Sequence, residues 1–416
     1  MQSRDFRLPG AVVVAALATG AATLVLRPRS GLIQAAPAKA QGYFSPAQLD
    51  RIHDYVGPQR ALGLGGLALT GGALALLALR PPRVVRRALE RASARPLLGS
   101  AAAGAGISLG VAAVGLPLAA VSHSRSVDFG LSTQGWADWA ADVAKSDAIA
   151  AVFAGGGALL LVALIRRSPG RWWLPAGVAV VALGAVFTFL APVVLDPVFN
   201  RFTPLPAGAL RSDVLGLAKR AGVHVGQVYR VDASRRTTGA NAYVSGLGST
   251  KRVVLYDNLI QRYTRPEVRS VVAHELGHVK HQDVPRGLLW LAIVALPATL
   301  VVQRLVERMA PVDDRGDGRA GPWVLPAAAL SIALVSLATG VASNALSRRV
   351  EASADAYALR MTHDPVAFIG VERKLTTDNL GDPSPPRWLE LLFGTHPPAV
   401  ERIGYALTYE RTATRR

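Results

Sequence analysis

Val271-Val-Ala-His-Glu-Leu-Gly-His278 is the stretch on which the reading of this chain turns. His274 and His278 are four residues apart, so on a 3.6-residue period they share a helix face, one turn apart. Neutral imidazoles placed that way reach a single zinc ion, and Glu275, beside the first, is positioned to act as a base towards water there. Thr264 with Glu267 three residues on reads as a capping box, and Pro266 falls in the first turn, where its missing N–H costs little. The predicted helix runs from about Arg265 to Asp283, and Pro285 ends or kinks it. With nine Glu and eight His in 416 residues, chance would supply this pattern about 0.003 times. The alternative, two surface histidines on an amphipathic helix, is outweighed by the metal reading.

Half of the residues are hydrophobic, mean hydropathy is +0.28 and there is no cysteine. The chain is too apolar for an ordinary soluble protein, and disulfides, Cys-ligated zinc and a thiol nucleophile are excluded. A net charge of +18 raises nucleic acid as a partner. Much of the arginine, however, lies in short connections between apolar runs: Arg80, Arg83, Arg86, Arg87, Arg91 and Arg95. That pattern belongs to inner-face membrane loops, so the expected partner is a lipid bilayer and not nucleic acid. Runs of about 20 apolar residues, enough to cross a bilayer, occur near 8–26, 61–79, 98–121, 148–165, 172–195, 287–306 and 322–346, giving seven spans. Arg4, Arg7 and Ala38-Lys39-Ala40 suggest a secretory signal at the first run. That run is long and the candidate cleavage site lies beyond Arg27 and Arg29, so an uncleaved span is the preferred reading.

These runs divide the chain into four parts: spans one to five (1–195), a hydrophilic insertion (196–286), spans six and seven (287–346) and a C-terminal segment (347–416). The fold class is that of a mainly α membrane protein. A polar segment, Ser122 to Asp147, carries Asp128, Asp138, Asp142 and Asp147 between spans three and four. The insertion opens with the Pro-punctuated linker Asp196–Leu205 and a helix from about Gly208 to Ala221. Strands follow at Val228–Ala233, Asn241–Ser245 and Arg252–Tyr256, with Gly246, Gly248 and Ser249 marking a turn. From His278 to Arg286 there is room for about 12 Å of helix at 1.5 Å per residue, which puts the metal near the membrane surface.

A catalytic zinc takes three protein ligands and keeps one position open. His281 is rotated away from the face shared by His274 and His278, and Asp283 and His396 are weaker candidates. Glu351 is the best third ligand. Asp355, four residues on, shares its face and is placed to take the outer N–H of a ligating imidazole. Spacing alone leaves open the alternative that Glu351 and Asp355 line a solvated helix face.

The set His274-Glu-Leu-Gly-His278, Ser347-Arg348-x-x-Glu351-x-x-Ala354-Asp355 and Thr395-His396-Pro397-Pro398 resembles the type I CAAX prenyl protease family of integral-membrane zinc endopeptidases. Phe129-Gly-Leu-Ser-Thr-Gln134, Phe199–Leu205, Asn241-Ala-Tyr243 and Lys251–Asp257 agree, so the likeness runs from about residue 120 to 408. It implies that His274, His278 and Glu351 bind one Zn2+, that Glu275 is the base, and that Asp355 supports a ligating histidine. It also implies seven helices around a large chamber, closed at one end by the catalytic helices. Arg349-Val350 before Glu351 and comparatively short polar insertions depart from the pattern, and bear on chamber size.

Other motifs have readings of their own. Asn241-Ala242-Tyr243 reads as an exposed strand edge able to hold an extended substrate by its backbone, or as an ordinary strand whose Asn caps a turn. His396 reads as a donor to the developing oxyanion, or as a polar residue ahead of a Pro-initiated helix. Arg348 and Arg402 read as orienting a substrate C-terminal carboxylate or the active-site carboxylates, or as structural ion pairs. The expected activity is zinc-dependent peptide hydrolysis, with an inactive scaffold or a transporter as the rival. A peptide or protein substrate follows, either a prenylated CAAX-type C-terminus or a misfolded or membrane-bound polypeptide. Loop charge places Arg80–Arg95, Arg166, Arg167, Arg171, Arg304, Arg308, Arg315 and Arg319 inside and the metal domain outside. The resemblance, through its eukaryotic members, points the site to the cytosol instead.

Overall fold

The computed structural model describes residues 7–246, 251–310 and 320–414. Arg4, Gly248, Ser249, Arg315 and Arg319, used in the readings above, lie outside them. The first helices are α1 (Arg7–Leu26), α2 (Pro46–Leu79), the short α3 (Arg83–Ala92), α4 (Pro96–Asp128), α5 (Trp136–Arg167) and α6 (Trp173–Val194). After a one-turn helix at Asp196–Phe199 come β1 (Phe202–Pro204), α7 (Ala209–Ala221), β2 (Gln227–Val231), β3 (Ala242–Ser245) and β4 (Arg252–Tyr256). The rest is helical: α8 (Asp257–Arg262), α9 (Arg265–Lys280), α10 (Asp283–Met309), α11 (Leu325–Thr362), α12 (Pro365–Asp378), α13 (Arg387–Phe393) and α14 (Ala399–Ala413).

Among the described residues, seven helices are long and apolar enough to cross a bilayer: α1, α2, α4, α5, α6, α10 and α11. Their outward faces carry exposed apolar side chains such as Leu17, Val152 and Val178, as lipid contact requires. The helices outrun the apolar stretches that announce them. Helix α2 starts at Pro46 behind a capping box between Ser45 and Gln48, and its polar first turns bury Leu49, Ile52 and Tyr55. The polar segment Ser122–Asp147 is not a loop: α4 continues to Asp128 and α5 begins at Trp136. Its polar groups bond within the helix and to α2, Ser126 Oγ to Ser122 O at 2.9 Å and Tyr55 Oη of α2 to Ser126 Oγ at 3.0 Å. The helix therefore persists past the apolar run.

Alternating spans gather the connections at two ends. Arg80–Arg95, Arg166–Arg171 and the end of α10 meet at one, where Arg166 Nη1 donates to Ala320 O at 2.8 Å and Trp173 N to Gln303 Oε1 at 3.1 Å. The other end carries the sheet and the HELGH helix.

The sheet has four strands in the order β1-β2-β4-β3, with β2 and β4 parallel and the outer pairs antiparallel. Phe202-Thr203-Pro204, read as linker, is the edge strand β1. Proline is tolerated there because an edge need not donate on both sides. Val228, Val253 and Leu255 pack with Val214 and Leu217 of α7 and with Val268, Val272 and Leu276 of α9. That apolar layer fixes the HELGH helix against the sheet, with β3 on the other edge.

The capping box at Thr264 and Glu267 is formed in both directions. The end of the helix differs from expectation. Helix α9 stops at Lys280, Gln282 takes a left-handed conformation (φ 55°) and α10 starts afresh at Asp283. Pro285 does not break the chain; it lies in the first turn of α10, where no helical N–H bond is lost.

Candidate metal centre and active site

Helices α9 and α11 cross very closely. A Cβ added to Gly277 would lie 3.2–3.3 Å from Tyr357 and Ala354. The small residues Gly277, Ala354 and Ala358 thus let the HELGH helix approach α11, and this brings Glu351 to the imidazoles. His274 Nε2 lies 3.1 Å from His278 Nε2 and 3.2 Å from Glu351 Oε2, and His278 Nε2 is 3.7 Å from Glu351 Oε1. The three side chains present ligand atoms all within 4.8 Å of one another.

Hydrogen bonding fixes the state of both rings. His274 Nδ1 is 2.8 Å from Asp355 Oδ1, and His278 Nδ1 is 3.0 Å from Asp283 Oδ2. Each Nδ1 carries the proton that a carboxylate accepts, so in the neutral, metal-binding form of the rings each Nε2 presents a lone pair. Two lone pairs then face each other, with a buried Glu351 oxygen that has no hydrogen-bond partner beside them. Such an arrangement calls for a cation. Tetrahedral zinc with bonds of about 2.0–2.2 Å spaces its ligand atoms about 3.3–3.6 Å apart, close to the separations found. Burial opposes charge on His274, yet its hydrogen bond to Asp355 and the Glu351 carboxylate beside it outweigh that and hold its pKa up to about 10. A proton and a metal ion therefore compete for the same place.

Glu275 lies close enough to feel the charges of His274, His278 and Glu351, and burial pushes its carboxyl up from the usual range against the opposing pull of the two histidines. His396 Nε2 is 3.3 Å from Glu351 Oε2, and Thr395 Oγ1 is 2.9 Å from His396 Nδ1. When that hydroxyl donates to Nδ1, Nε2 carries the proton and points into the site.

The expected arginines are committed within the chain. Arg402 donates from Nε and Nη2 to both oxygens of Asp355 and from Nη1 to Glu372 Oε2 at 2.9 Å. Of its three readings, the geometry fits contact with the active-site carboxylate Asp355 and a buried ion pair with Glu372, not a substrate carboxylate. Arg348 Nη1 donates to Glu390 O at 2.8 Å and to Gly394 O, so it holds the turn that presents His396 rather than a substrate carboxylate. His281 faces away from the ligand cluster, its Nδ1 3.2 Å from Ser353 Oγ.

Asn241-Ala242-Tyr243 lies at the start of β3 on the sheet edge, packed against α9. Ala242 is buried, and Tyr243 Oη donates to Asp196 Oδ2 at 2.9 Å. Asn241 Oδ1 accepts from Ala242 N at 2.8 Å, a local turn bond that leaves the outer strand edge open. The segment before it is pinned from two sides. Thr133 N donates to Arg236 O at 3.1 Å and Thr238 N to Leu131 O at 2.9 Å, while Asn258 Nδ2 donates to Thr237 O and Gly239 O. The Phe129–Gln134 motif is thus a brace for the strand.

Two functional residues were not read in these roles. Asp283 was weighed only as a ligand; its place behind His278 depends on the left-handed Gln282, which nothing in the sequence announces. Glu372 meets Arg402 through tertiary packing, without a local signal.

Residues 204–410 match the profile of peptidase family M48, and residues 34–201 match the CAAX prenyl protease N-terminal domain of five membrane helices. An uncharacterized metalloprotease, YhfN of Bacillus subtilis, is 33% identical over 303 residues, spanning 72% of this chain and 71% of that protein. The chain belongs to peptidase family M48. This M48 chain is a multi-pass membrane metalloendopeptidase, as its sequence led us to expect. CAAX prenyl protease 1 of Saccharomyces cerevisiae is 34% identical over 169 residues, 40% of this chain and 37% of that one. The rice CAAX prenyl protease 1 homolog is 31% identical over 229 residues, 53% of this chain and 52% of its own length. The crystal structure of S. mikatae Ste24p shares the fold, with a TM-score of 0.78 at 19% identity over 95% of this chain and 98% of that one.

Proposed function

We propose that this M48 peptidase is a zinc endopeptidase in which His274, His278 and Glu351 hold the metal and Glu275 is the general base. One observation carries the reading: the two Nε2 lone pairs and the unpartnered Glu351 oxygen converge on one point beside Glu275. Zinc held there supplies Lewis acidity, acidifying water and polarising a peptide carbonyl.

The chain's own groups account for the rest. The open edge of β3 takes an extended peptide by backbone hydrogen bonds, which aligns the scissile bond with the cleft. Glu275 accepts a proton from water as its oxygen attacks the carbonyl carbon, and returns that proton to the amine as the C–N bond breaks. Burial raises its carboxyl above the ordinary range, the direction that helps a carboxylate both take up and return a proton. His396 Nε2–H donates to the carbonyl oxygen as negative charge develops on it.

A membrane-associated polypeptide is the substrate class we favour. An apolar cavity of about 720 Å³ lies among the spans, lined by Leu74, Ile107, Leu161, Leu183, Leu291 and Ile332. A second, of about 900 Å³, runs from His396 and Arg402 to Leu64, Leu67 and Phe393. The second cavity adjoins His396, and largely apolar space there suits a lipid-bearing or membrane-derived chain, as in CAAX-type C-terminal processing. The test compares prenylated CAAX peptides, unprenylated ones and an unfolded membrane protein, each with the parent and with Glu275→Gln. The reading predicts cleavage by the parent, a zinc content unchanged in Glu275→Gln, and no turnover by that variant. Turnover by Glu275→Gln at the parent's rate overturns it.

A further inference from the structure

The two imidazoles of the centre are held by carboxylates of unequal electrical standing. Asp355 behind His274 is gripped through both oxygens by Arg402, so its negative charge is largely neutralised. Asp283 behind His278 has no such partner: among the described residues no Lys or Arg pairs with it, and His278 Nδ1 is its one ion-pair contact. Its other oxygen, Oδ1, is buried without a hydrogen-bond partner. Leaving a carboxylate oxygen unsatisfied in the interior is unfavourable for folding, so stability alone does not explain the arrangement. A carboxylate that accepts the outer N–H of a ligating imidazole fixes the tautomer and raises its donor strength. An un-neutralised one does so more strongly.

We propose that Asp283 is a positioning residue of the metal centre, fixing His278 with Nε2 towards the ion and making His278 the stronger imidazole donor of the pair. The backbone supplies the means. The left-handed Gln282 ends α9 and starts α10 one residue later, turning the first side chain of the spanning helix back onto the last turn of the metal helix. Had α9 run on unbroken, a residue five beyond His278 would lie about 140° around the helix from it and out of reach. The proposal rests on the reading that His274, His278 and Glu351 bind the metal.

The rival role for Asp283 is a first-turn acid that stabilises the N-terminus of α10. The full-length chain in detergent, stripped of metal and titrated with Zn2+ against a chromogenic chelator, separates the two. Asp283→Ala is expected to weaken zinc binding by about 10–100-fold with little change in the thermal midpoint of the metal-free protein. The near-isosteric Asp283→Asn keeps an acceptor but loses the charge, so a smaller, definite loss is expected; this variant decides if Asp283→Ala fails to fold. Zinc affinity equal to the parent's in both variants overturns the proposal, as does a lowered metal-free midpoint with affinity intact. Equality of Asp283→Asn alone overturns the charge assignment. A parent that binds no zinc, or a His274→Ala variant that binds it equally well, sinks the metal-centre reading instead.

Discussion

Arg402 closes on Asp355 with two parallel hydrogen bonds, Nε to Oδ2 at 2.8 Å and Nη2 to Oδ1 at 2.6 Å, while the same Oδ1 accepts His274 Nδ1–H. One guanidinium thus orients a candidate metal ligand through its acid. Arg402→Met leaves Glu372 and Asp355 buried without their cation, Asp355 keeping only His274, and breaking a buried pair in this way costs about 3–5 kcal/mol. Arg402→Lys keeps the charge but not the two-pronged geometry and should fall between. Thermal melts with peptidase assays check this; a Met variant as stable and active as the parent contradicts it.

Gly277 is where α9 and α11 come closest. A valine there meets Tyr357 and Ala354 inside normal contact distance, and overpacking costs about 1–3 kcal/mol. Separation of the two helices also draws Glu351 from the imidazoles. Gly277→Val is therefore expected to lose metal content and activity together, measured on the protein purified in detergent. Undiminished zinc in a folded Gly277→Val protein would show that the close crossing is not needed.

Glu372 faces Arg402 and, beyond it, Asp355. Burial, only partly offset by Arg402 and reinforced by Asp355, pushes its carboxyl up to about 7 from about 4.5. The folded state thus binds the proton more tightly than the unfolded one. This group's contribution is fully present below about pH 4.5 and is lost as pH rises through about 7. Glu372→Gln removes that part of the slope. Thermal midpoints of parent and variant across pH 4.5 to 8 should diverge at the alkaline end in the variant's favour; parallel curves contradict the assignment.

Among the described residues, the connections Arg80–Arg95 and Arg166–Arg171 share the end opposite the metal cleft. The excess of Lys and Arg on inner loops predicts that Arg80–Arg95 and Arg166–Arg171 face the cytoplasm and that the cleft opens on the other side, whereas the resemblance to eukaryotic family members predicts the reverse. A chain with no cysteine suits single-site thiol labelling in intact cells. Thr412→Cys is expected to react with an impermeant reagent and Arg87→Cys only after lysis. The reverse pattern would place the peptidase in the cytosol.

Legibility followed locality. The HELGH helix and its capping box were readable because period and spacing act within a few residues, and the spans because length and apolarity suffice. For Glu351 and Asp355 spacing left a solvated helix face open, and the family resemblance carried the reading. What escaped depended on partners far along the chain. Strand β1 hides between prolines and exists because β2 offers it an edge. Polar helix extensions such as Ser122–Asp128 are held by contacts with α2. Glu372 matters only because Arg402 is folded beside it, and Asp283 only because one left-handed residue turns it back on His278.

The central claim is that two imidazoles and one carboxylate, contributed by α9 and α11, hold a single metal ion. Elemental analysis of the purified full-length chain, with His274→Ala and Glu351→Gln alongside, tests it most directly. The account predicts about one zinc per parent chain and loss of that zinc in both variants, with the metal-free fold retained. One zinc per chain in Glu351→Gln, bound as tightly as in the parent, would contradict it.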